Sequence, residues 1–136
     1  MSSKQPQIFI SYARSDKNIA EQLTRFFEQQ GYSVWIDYKM IKVGSDWQSE
    51  LENALRKADV FVIVLSDEAV RSNWINAEIG YALGQKKLII PILVEEDVRL
   101  PLSLSQIQYL DARKLKPTEI GEKVALSIEK LSKKQK

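Results

Sequence analysis

Short apolar runs alternate with helical patterns along the chain. The apolar runs begin near residues 8, 34, 60 and 88, and most are only three to seven residues long, as buried strands are. Between them, apolar positions recur every three or four residues, which is typical of amphipathic helices. We therefore predict strands at 8–10, 34–36, 60–65, 88–94 and 107–110. We predict helices at 16–30, from 45 or 46 to 58, from 72 or 73 to 84, and from 117 to 131.

Strands that alternate with helices predict a parallel sheet with helices on both faces. The uninterrupted apolar run Val60–Leu65 indicates a central strand that is covered on both sides. Pro91 lacks an amide hydrogen, so we expect its strand near an edge of the sheet or bulged there. About five strands in 136 residues favour a flavodoxin-like α/β three-layer sandwich with strand order 2-1-3-4-5. We expect a single domain over residues 1–136, with a core of about 7–131 and a basic C-terminal tail.

Composition narrows the chemistry of this domain. The sequence has no cysteine and no histidine, which removes disulfides, thiolate nucleophiles and the most common general base. Catalysis would therefore depend on carboxylates, hydroxyls, amines, aromatic side chains or backbone groups. The formal charge of +2 is too small to indicate a nucleic-acid or membrane partner. A polar N-terminus and the lack of an apolar stretch of about twenty residues predict a cytoplasmic protein.

The strand order also predicts where a ligand binds. In such sheets the site lies beyond the carboxyl ends of the strands, where strand order reverses. Here that point is reached by residues 11–16 after the first strand and 66–68 after the third. The first strand is followed neither by the acidic residues of a phospho-receiver nor by the glycines of a flavin or dinucleotide phosphate loop. Asp67 and Glu68 are two adjacent carboxylates, which rarely suffice for a cation, and we predict no metal site.

The helix predicted from residue 72 or 73 carries a candidate catalytic group. Trp74, Glu78 and Tyr81 are spaced so that they share one face of this helix. That face places one carboxylate between two aromatic rings. A surface glutamate beside half-buried aromatic residues gives the same pattern, and the spacing alone does not separate the two interpretations.

Several motifs, taken in order, resemble those of TIR (Toll/interleukin receptor) domains. They are Ile8-Phe9-Ile10-Ser11-Tyr12-Ala13 with Asp16, then Val34-Trp35-Ile36-Asp37, then Gly44 with Trp47. In addition, Ser72-Asn73-Trp74 with Glu78 is similar to the Ser-x-Trp-x-x-x-Glu helix of the enzymatic members of that family. Each motif is weak alone, whereas their order and spacing together are fairly specific.

The resemblance implies a function and a set of site residues. In the enzymatic branch, a glutamate on the third helix cleaves NAD to nicotinamide and ADP-ribose or a cyclic isomer, and by motif position Glu78 is that residue. NAD is then the substrate, and no cofactor is implied. The implied substrate-binding neighbours are Ser11, Tyr12, Arg14, Trp47 and Trp74. The resemblance also implies a role in defence or stress signalling, and self-association or binding to other TIR domains through the 38–46 loop.

Other interpretations stay open at this point. Ser11 could satisfy backbone groups at a strand end, Arg14 could pair with Asp16, and Trp47 could be a core residue. The whole domain could be a non-catalytic TIR interaction module that acts by homotypic assembly. A more distant alternative is a nucleoside deoxyribosyltransferase, which would combine a similar sheet and glutamate with a deoxynucleoside substrate.

Overall fold

The computed structural model describes residues 5–36 and 47–134, with the backbone alone described at Trp47 and at residues 132–134. Within these residues a parallel sheet has the order β2-β1-β3-β4-β5. The strands are β1 (Gln7–Ser11), β2 (Ser33–Ile36), β3 (Val60–Leu65), β4 (Leu88–Leu93) and β5 (Leu110–Asp111). The helices are α1 (Lys17–Gln29), α2 (Trp47–Lys57), α3 (Asp67–Val70), α4 (Asn73–Gly84) and α5 (Pro117–Lys134). The predicted flavodoxin-like order is confirmed.

The sheet separates two hydrophobic clusters. Ile8 and Ile10 of β1 belong to the cluster under α1 and α5, whereas Phe9 belongs to the cluster under α2 and α4. This division follows from the period of a strand, because successive side chains point to opposite faces of the sheet. Every residue of β3 is buried, which confirms it as a central strand. Trp35 of β2 is half-buried and stacks on Phe9 with 5.2 Å between ring centroids.

Local sequence signals set the ends of the helices. Gly31 follows α1 with φ at +94°, a left-handed conformation that glycine adopts without steric cost. Ser72 Oγ accepts a hydrogen bond from the Ile75 amide at 3.2 Å and caps α4, as one of the two predicted caps. α4 ends at Gly84 and α5 begins at Pro117, both as predicted.

The fifth strand differs from its prediction. It comprises Leu110–Asp111, not 107–110, and it pairs with the last two residues of β4. The Ile107 amide instead donates to the Leu104 carbonyl in a turn, at 3.0 Å, and the Ile107 side chain packs against the cluster under α2 and α4. Because β5 is so short, the part of β4 that holds Pro91 pairs with β3 alone among the described strands, which confirms its place near the sheet edge.

Two helices pack closely behind the sheet. A Cβ atom added to Gly121 of α5 would lie 2.4 Å from Cδ2 of Phe26 on α1, so the glycine permits this approach. Although α5 has 18 residues, it is amphipathic, with Ile120, Val124 and Ile128 buried on one side. None of the helices in the described ranges is long and apolar enough to cross a membrane.

Some predictions fall on residues that the structure does not describe. These are the cap of α2 at residue 45 or 46, Asp37 at the end of the second strand motif, and the 38–46 loop. The proposed contact surface of that loop therefore stays a prediction.

Candidate active site

Glu78 lies in α4 and is buried. Only 4% of the residue is exposed, and its Oε2 atom is inaccessible to solvent. Glutamate is almost never buried to this extent unless its charge is compensated or used, because an ionised carboxylate loses its hydration. Glu78 belongs to the buried face of α4 together with Ile75, Ile79 and Ala82. The interpretation as a surface glutamate is therefore wrong.

Ser11 ends β1 on the face of the sheet that α2 and α4 cover. It lies two residues after Phe9, which belongs to the cluster under α2 and α4, and alternation gives the two side chains the same direction. Ser11 is 2% exposed, and its Oγ has no hydrogen-bond partner among the described residues. Within that part of the chain it satisfies no backbone group. A buried hydroxyl in this state is expected to meet a ligand, a water or a group outside the described ranges.

The two predicted site residues that follow Ser11 lie in different surroundings. Tyr12 is half-buried and packs against the cluster under α1 and α5, on the opposite side of the sheet from Ser11. Arg14 is exposed, and it belongs to none of the ion pairs between described side chains, so the alternative pair with Asp16 does not form there. A guanidinium exposed at this edge of the sheet suits an anionic ligand, because its planar fork binds phosphate through two hydrogen bonds.

The aromatic residues of α4 also differ in their surroundings. Trp74, one turn before Glu78, is 46% exposed and offers a large ring at the surface. Tyr81, one turn after Glu78, is half-buried, with its ring centroid 6.4 Å from that of Phe61 in β3. The side chain of Trp47 lies outside the described residues. The structure thus places Ser11 and Glu78 on one face of the sheet.

Hydrogen bonds join the turns that follow β1 and β3. The Ser66 hydroxyl donates to Asp16 Oδ2 at 2.5 Å, and Glu68 Oε1 accepts from the Ser15 amide at 3.3 Å. Burial raises the pKa of Asp16 above its ordinary 3.8, the hydrogen bond from Ser66 opposes that rise, and the nearby carboxylates Glu95 and Glu68 add to it. No local pattern in the sequence predicts this contact, because its two residues are 50 positions apart.

Hydrogen bonds and ion pairs also join the segments at the carboxyl ends of β3, β4 and β5. Glu95 Oε1 accepts from the Asp67 amide at 2.7 Å, which connects the turns after β3 and β4. Arg113 bridges Glu96 at 2.9 Å and Asp111 at 2.6 Å, and hydrogen bonds from Arg113 lower the pKa of Asp111 to about 2. Among the described residues, no three acidic side chains lie close enough together to hold a metal ion.

Two surface clefts lie away from this edge. One has a volume of about 300 Å³ and is bordered by Gln7 and Ser33, at the start of β1 and β2. The other has a volume of about 640 Å³ and is bordered by Leu88 at the start of β4 and by Leu131 of α5. Neither is lined by Ser11 or Glu78, so neither is the predicted crevice at the carboxyl ends of the strands, which stays a prediction.

A comparison with known families identifies the chain. A family model described as TIR domain matches residues 8–125. The chain therefore belongs to the TIR domain family, as the sequence motifs predict.

Curated relatives of this chain are named as enzymes that act on NAD or make a cyclic ADP-ribose. A probable 2' cyclic ADP-D-ribose synthase, TcpO of Methanobrevibacter olleyae, is 24% identical over 88% of this chain and 38% of its own length. The 2' cyclic ADP-D-ribose synthase AbTIR of Acinetobacter baumannii is 30% identical over 62% of this chain and 34% of its own length. The NAD(+) hydrolase tir-1 of Caenorhabditis elegans is 33% identical over 68% of this chain and 10% of its own length. The chain thus spans well under half the length of these relatives.

Solved structures agree with the fold. The TIR domain of the Toll-related receptor TRR-2 from Hydra magnipapillata has a TM-score of 0.74 at 19% identity, covering 92% of this chain and 99% of that one. The CMP N-glycosidase BcmB of Clostridium botulinum has a TM-score of 0.60 at 25% identity, covering 88% of this chain and 98% of that one. The first likeness, at 19% identity, concerns the fold alone.

Proposed function

We propose that this TIR domain cleaves the nicotinamide–ribose bond of NAD and that Glu78 is its catalytic residue. The observation that carries the proposal is the burial of the Glu78 carboxylate on the face of the sheet where β1 ends with Ser11, whose buried hydroxyl has no partner among the described residues. The names of the curated relatives support the class of reaction. The TIR motifs that include Glu78 support the choice of residue.

The chemistry of NAD suits a site with one carboxylate. The leaving group is a pyridinium, so the electrons of the broken carbon–nitrogen bond neutralise the ring, and nicotinamide departs without a proton. A general acid of the kind that ordinary glycosidases use is therefore unnecessary. The remaining task is to stabilise an oxocarbenium-like ribose, and a fixed negative charge beside the developing cation does so. A chain without histidine or cysteine can perform this reaction.

Each predicted site residue whose side chain the structure describes is assigned a role in this proposal. The Glu78 carboxylate accepts hydrogen bonds from ribose hydroxyls and stabilises the cation, while the Ser11 hydroxyl is available to the same sugar. Arg14 binds the pyrophosphate, and Trp74 stacks on an aromatic ring of the substrate. Tyr12, on the other side of the sheet, contributes to packing under α1 and less to substrate binding.

The products depend on which nucleophile captures the ribose cation. Attack by water forms a carbon–oxygen bond, releases one proton and gives ADP-ribose. Attack by a hydroxyl of the same molecule also releases one proton and gives a cyclic isomer. Both outcomes leave Glu78 unchanged, so the residue needs no regeneration.

The test is an incubation of the purified protein with NAD, followed by chromatography of the products. We expect Glu78→Gln, which keeps the shape and removes the charge, to lower the rate by at least about a hundredfold, as the loss of one electrostatic stabiliser does. Glu122→Gln, on the exposed side of α5, is the control and should keep the wild-type rate. A folded Glu78→Gln variant with undiminished cleavage would refute the assignment. No nicotinamide from concentrated wild-type protein would instead favour an interaction module.

The likeness to the CMP N-glycosidase favours one second candidate, the cleavage of a nucleotide N-glycosidic bond. Cytosine departs as an anion unless it is protonated, so that reaction calls for a general acid. With no histidine or cysteine in the chain, a second carboxyl group, a tyrosine or a lysine would have to supply the proton. Assays with CMP, dCMP and a deoxynucleoside with an acceptor base, run beside the NAD assay, separate this candidate and the deoxyribosyltransferase from the main proposal.

A further inference from the structure

Asp16 stands at the N-cap of α1 but does not cap it. Its side chain makes no hydrogen bond to the first turn of the helix. Aspartate is among the preferred residues at this position because its carboxylate normally accepts from those amides. Here the carboxylate is instead turned to Ser66, which is 50 positions away at the end of β3.

Ser66 fixes the direction of this contact. The residue is 1% exposed, and its Oγ accepts a hydrogen bond from the Ala69 amide at 3.2 Å as the cap of α3. The hydroxyl hydrogen then points at Asp16 Oδ2, so position 16 has to provide an acceptor. Asparagine retains an acceptor oxygen there and alanine does not.

The contact also holds the turn that contains Arg14. The Asp16 amide donates to the Ala13 carbonyl at 2.8 Å and closes this turn. The Ser15 amide donates to Glu68 of α3, which gives the turn a second attachment to the same element. Two hydrogen bonds therefore determine where the β1–α1 turn lies relative to α3.

α3 is in turn fastened to the helix that carries Glu78. Asn76 of α4 donates through Nδ2 to the carbonyls of Val70 at 3.0 Å and Ser72 at 2.9 Å. A continuous series of hydrogen bonds thus runs from the turn with Arg14, through Asp16 and Ser66, to α4.

We propose that Asp16 and Ser66 are positioning residues, which hold Arg14 at a fixed place relative to Glu78. The inference rests on the proposed function. Neither residue takes part in breaking the bond. Their loss lets the β1–α1 turn shift, which weakens the hold of Arg14 on the pyrophosphate more than it changes the chemistry at the ribose.

The test compares Asp16→Ala, Asp16→Asn and Ser66→Ala. We expect Asp16→Ala and Ser66→Ala to raise the KM for NAD by roughly tenfold or more while kcat changes by less than about threefold, because displaced binding groups act on affinity first. Asp16→Asn, which keeps the acceptor, should recover most of the affinity. Thr24→Ala removes a buried hydroxyl of α1 that bonds to the Ala20 carbonyl, and as the control it should leave KM unchanged. An Asp16→Ala variant with wild-type KM, or a Thr24→Ala variant with the same rise, would overturn the inference.

A second measurement separates this inference from the proposed function. Hydrogen exchange of the backbone amides at positions 15 and 16 should become faster in Asp16→Ala. It should stay near the wild-type rate in Asp16→Asn and Thr24→Ala. Unchanged exchange in Asp16→Ala overturns the positioning role, whether or not the protein cleaves NAD. Wild-type protein that leaves NAD intact, with faster exchange in Asp16→Ala, overturns the proposed function alone.

Discussion

Gly121→Ala tests the packing of α5 on α1. The added Cβ atom would lie 2.4 Å from Cδ2 of Phe26 and 2.8 Å from its Cε2 and Cγ atoms. Ordinary carbon–carbon contacts are about 3.5–4.0 Å, so the two groups must separate by more than an ångström. Cγ is the first ring atom of Phe26, and a small rotation of the ring does not move it away.

The expected cost follows from two opposing effects. Overpacking of this kind destabilises proteins by about 1–3 kcal/mol. A clash that requires a separation of more than an ångström belongs in the upper part of that range, about 2–3 kcal/mol. Alanine in place of glycine within a helix stabilises the helix by about 1 kcal/mol. The net loss in the free energy of unfolding is therefore about 1–2 kcal/mol, which for a domain of 136 residues lowers Tm by roughly 4–8 °C.

The assay is thermal unfolding followed by circular dichroism, with Gly80→Ala as a matched control. Gly80 is an exposed position in α4 where an added Cβ meets no atom within 4 Å. That variant gains helix propensity without a clash, so its Tm should rise. Replacing Phe26 by leucine should reduce the cost of Gly121→Ala in a double-mutant cycle. A Gly121→Ala variant as stable as wild type would refute the reasoning about this contact.

Two further predictions concern carboxylates at the carboxyl edge of the sheet. Because the pKa of Asp16 is raised above 3.8, its ionisation costs folding free energy as pH rises, with Glu68 and Glu95 adding to the cost. The free energy of unfolding of Asp16→Asn, relative to wild type, should therefore increase between pH 3.8 and neutrality in urea titrations, and a constant difference would contradict this. Arg113→Ala should raise the pKa of Asp111 from about 2 toward 3.8 in an NMR titration, and no rise would show that another group lowers it.

Much of the fold was predictable because the spacing of the apolar residues indicates which segments form strands and which form helices. The run Val60–Leu65 has no polar residue, and the central buried strand is where that pattern placed it. Pro91 correctly indicated a strand with little pairing on one side. The fifth strand was misplaced because a strand of two residues has no period to detect, and the turn at Ile107 is fixed by tertiary packing.

The candidate site was predictable only in part. Spacing placed Trp74 and Glu78 on one side of a helix, but the burial of Glu78 depends on how that helix packs on the sheet. The opposite sides taken by Ser11 and Tyr12 continue the alternation of β1, but both residues lie beyond the strand predicted at 8–10, so this separation was not predicted. The contact between Asp16 and Ser66 depends on the register of β1 against β3, which no local pattern reports.

In the proposed mechanism, the residues at and just after the end of β1 lie on both sides of the sheet. Ser11 faces the side of α4 and Glu78, whereas Tyr12 packs on the side of α1. The turn that follows has to carry Arg14 to the phosphates while Ser11 stays with the ribose, so its position matters to both ends of the substrate. A carboxylate at position 16 that capped α1 would stabilise only that helix. Joined to Ser66, it stabilises the relation between the turn and α3, and through Asn76 the relation to α4. The loss of an ordinary helix cap is thus consistent with a site that needs fixed distances more than it needs local stability.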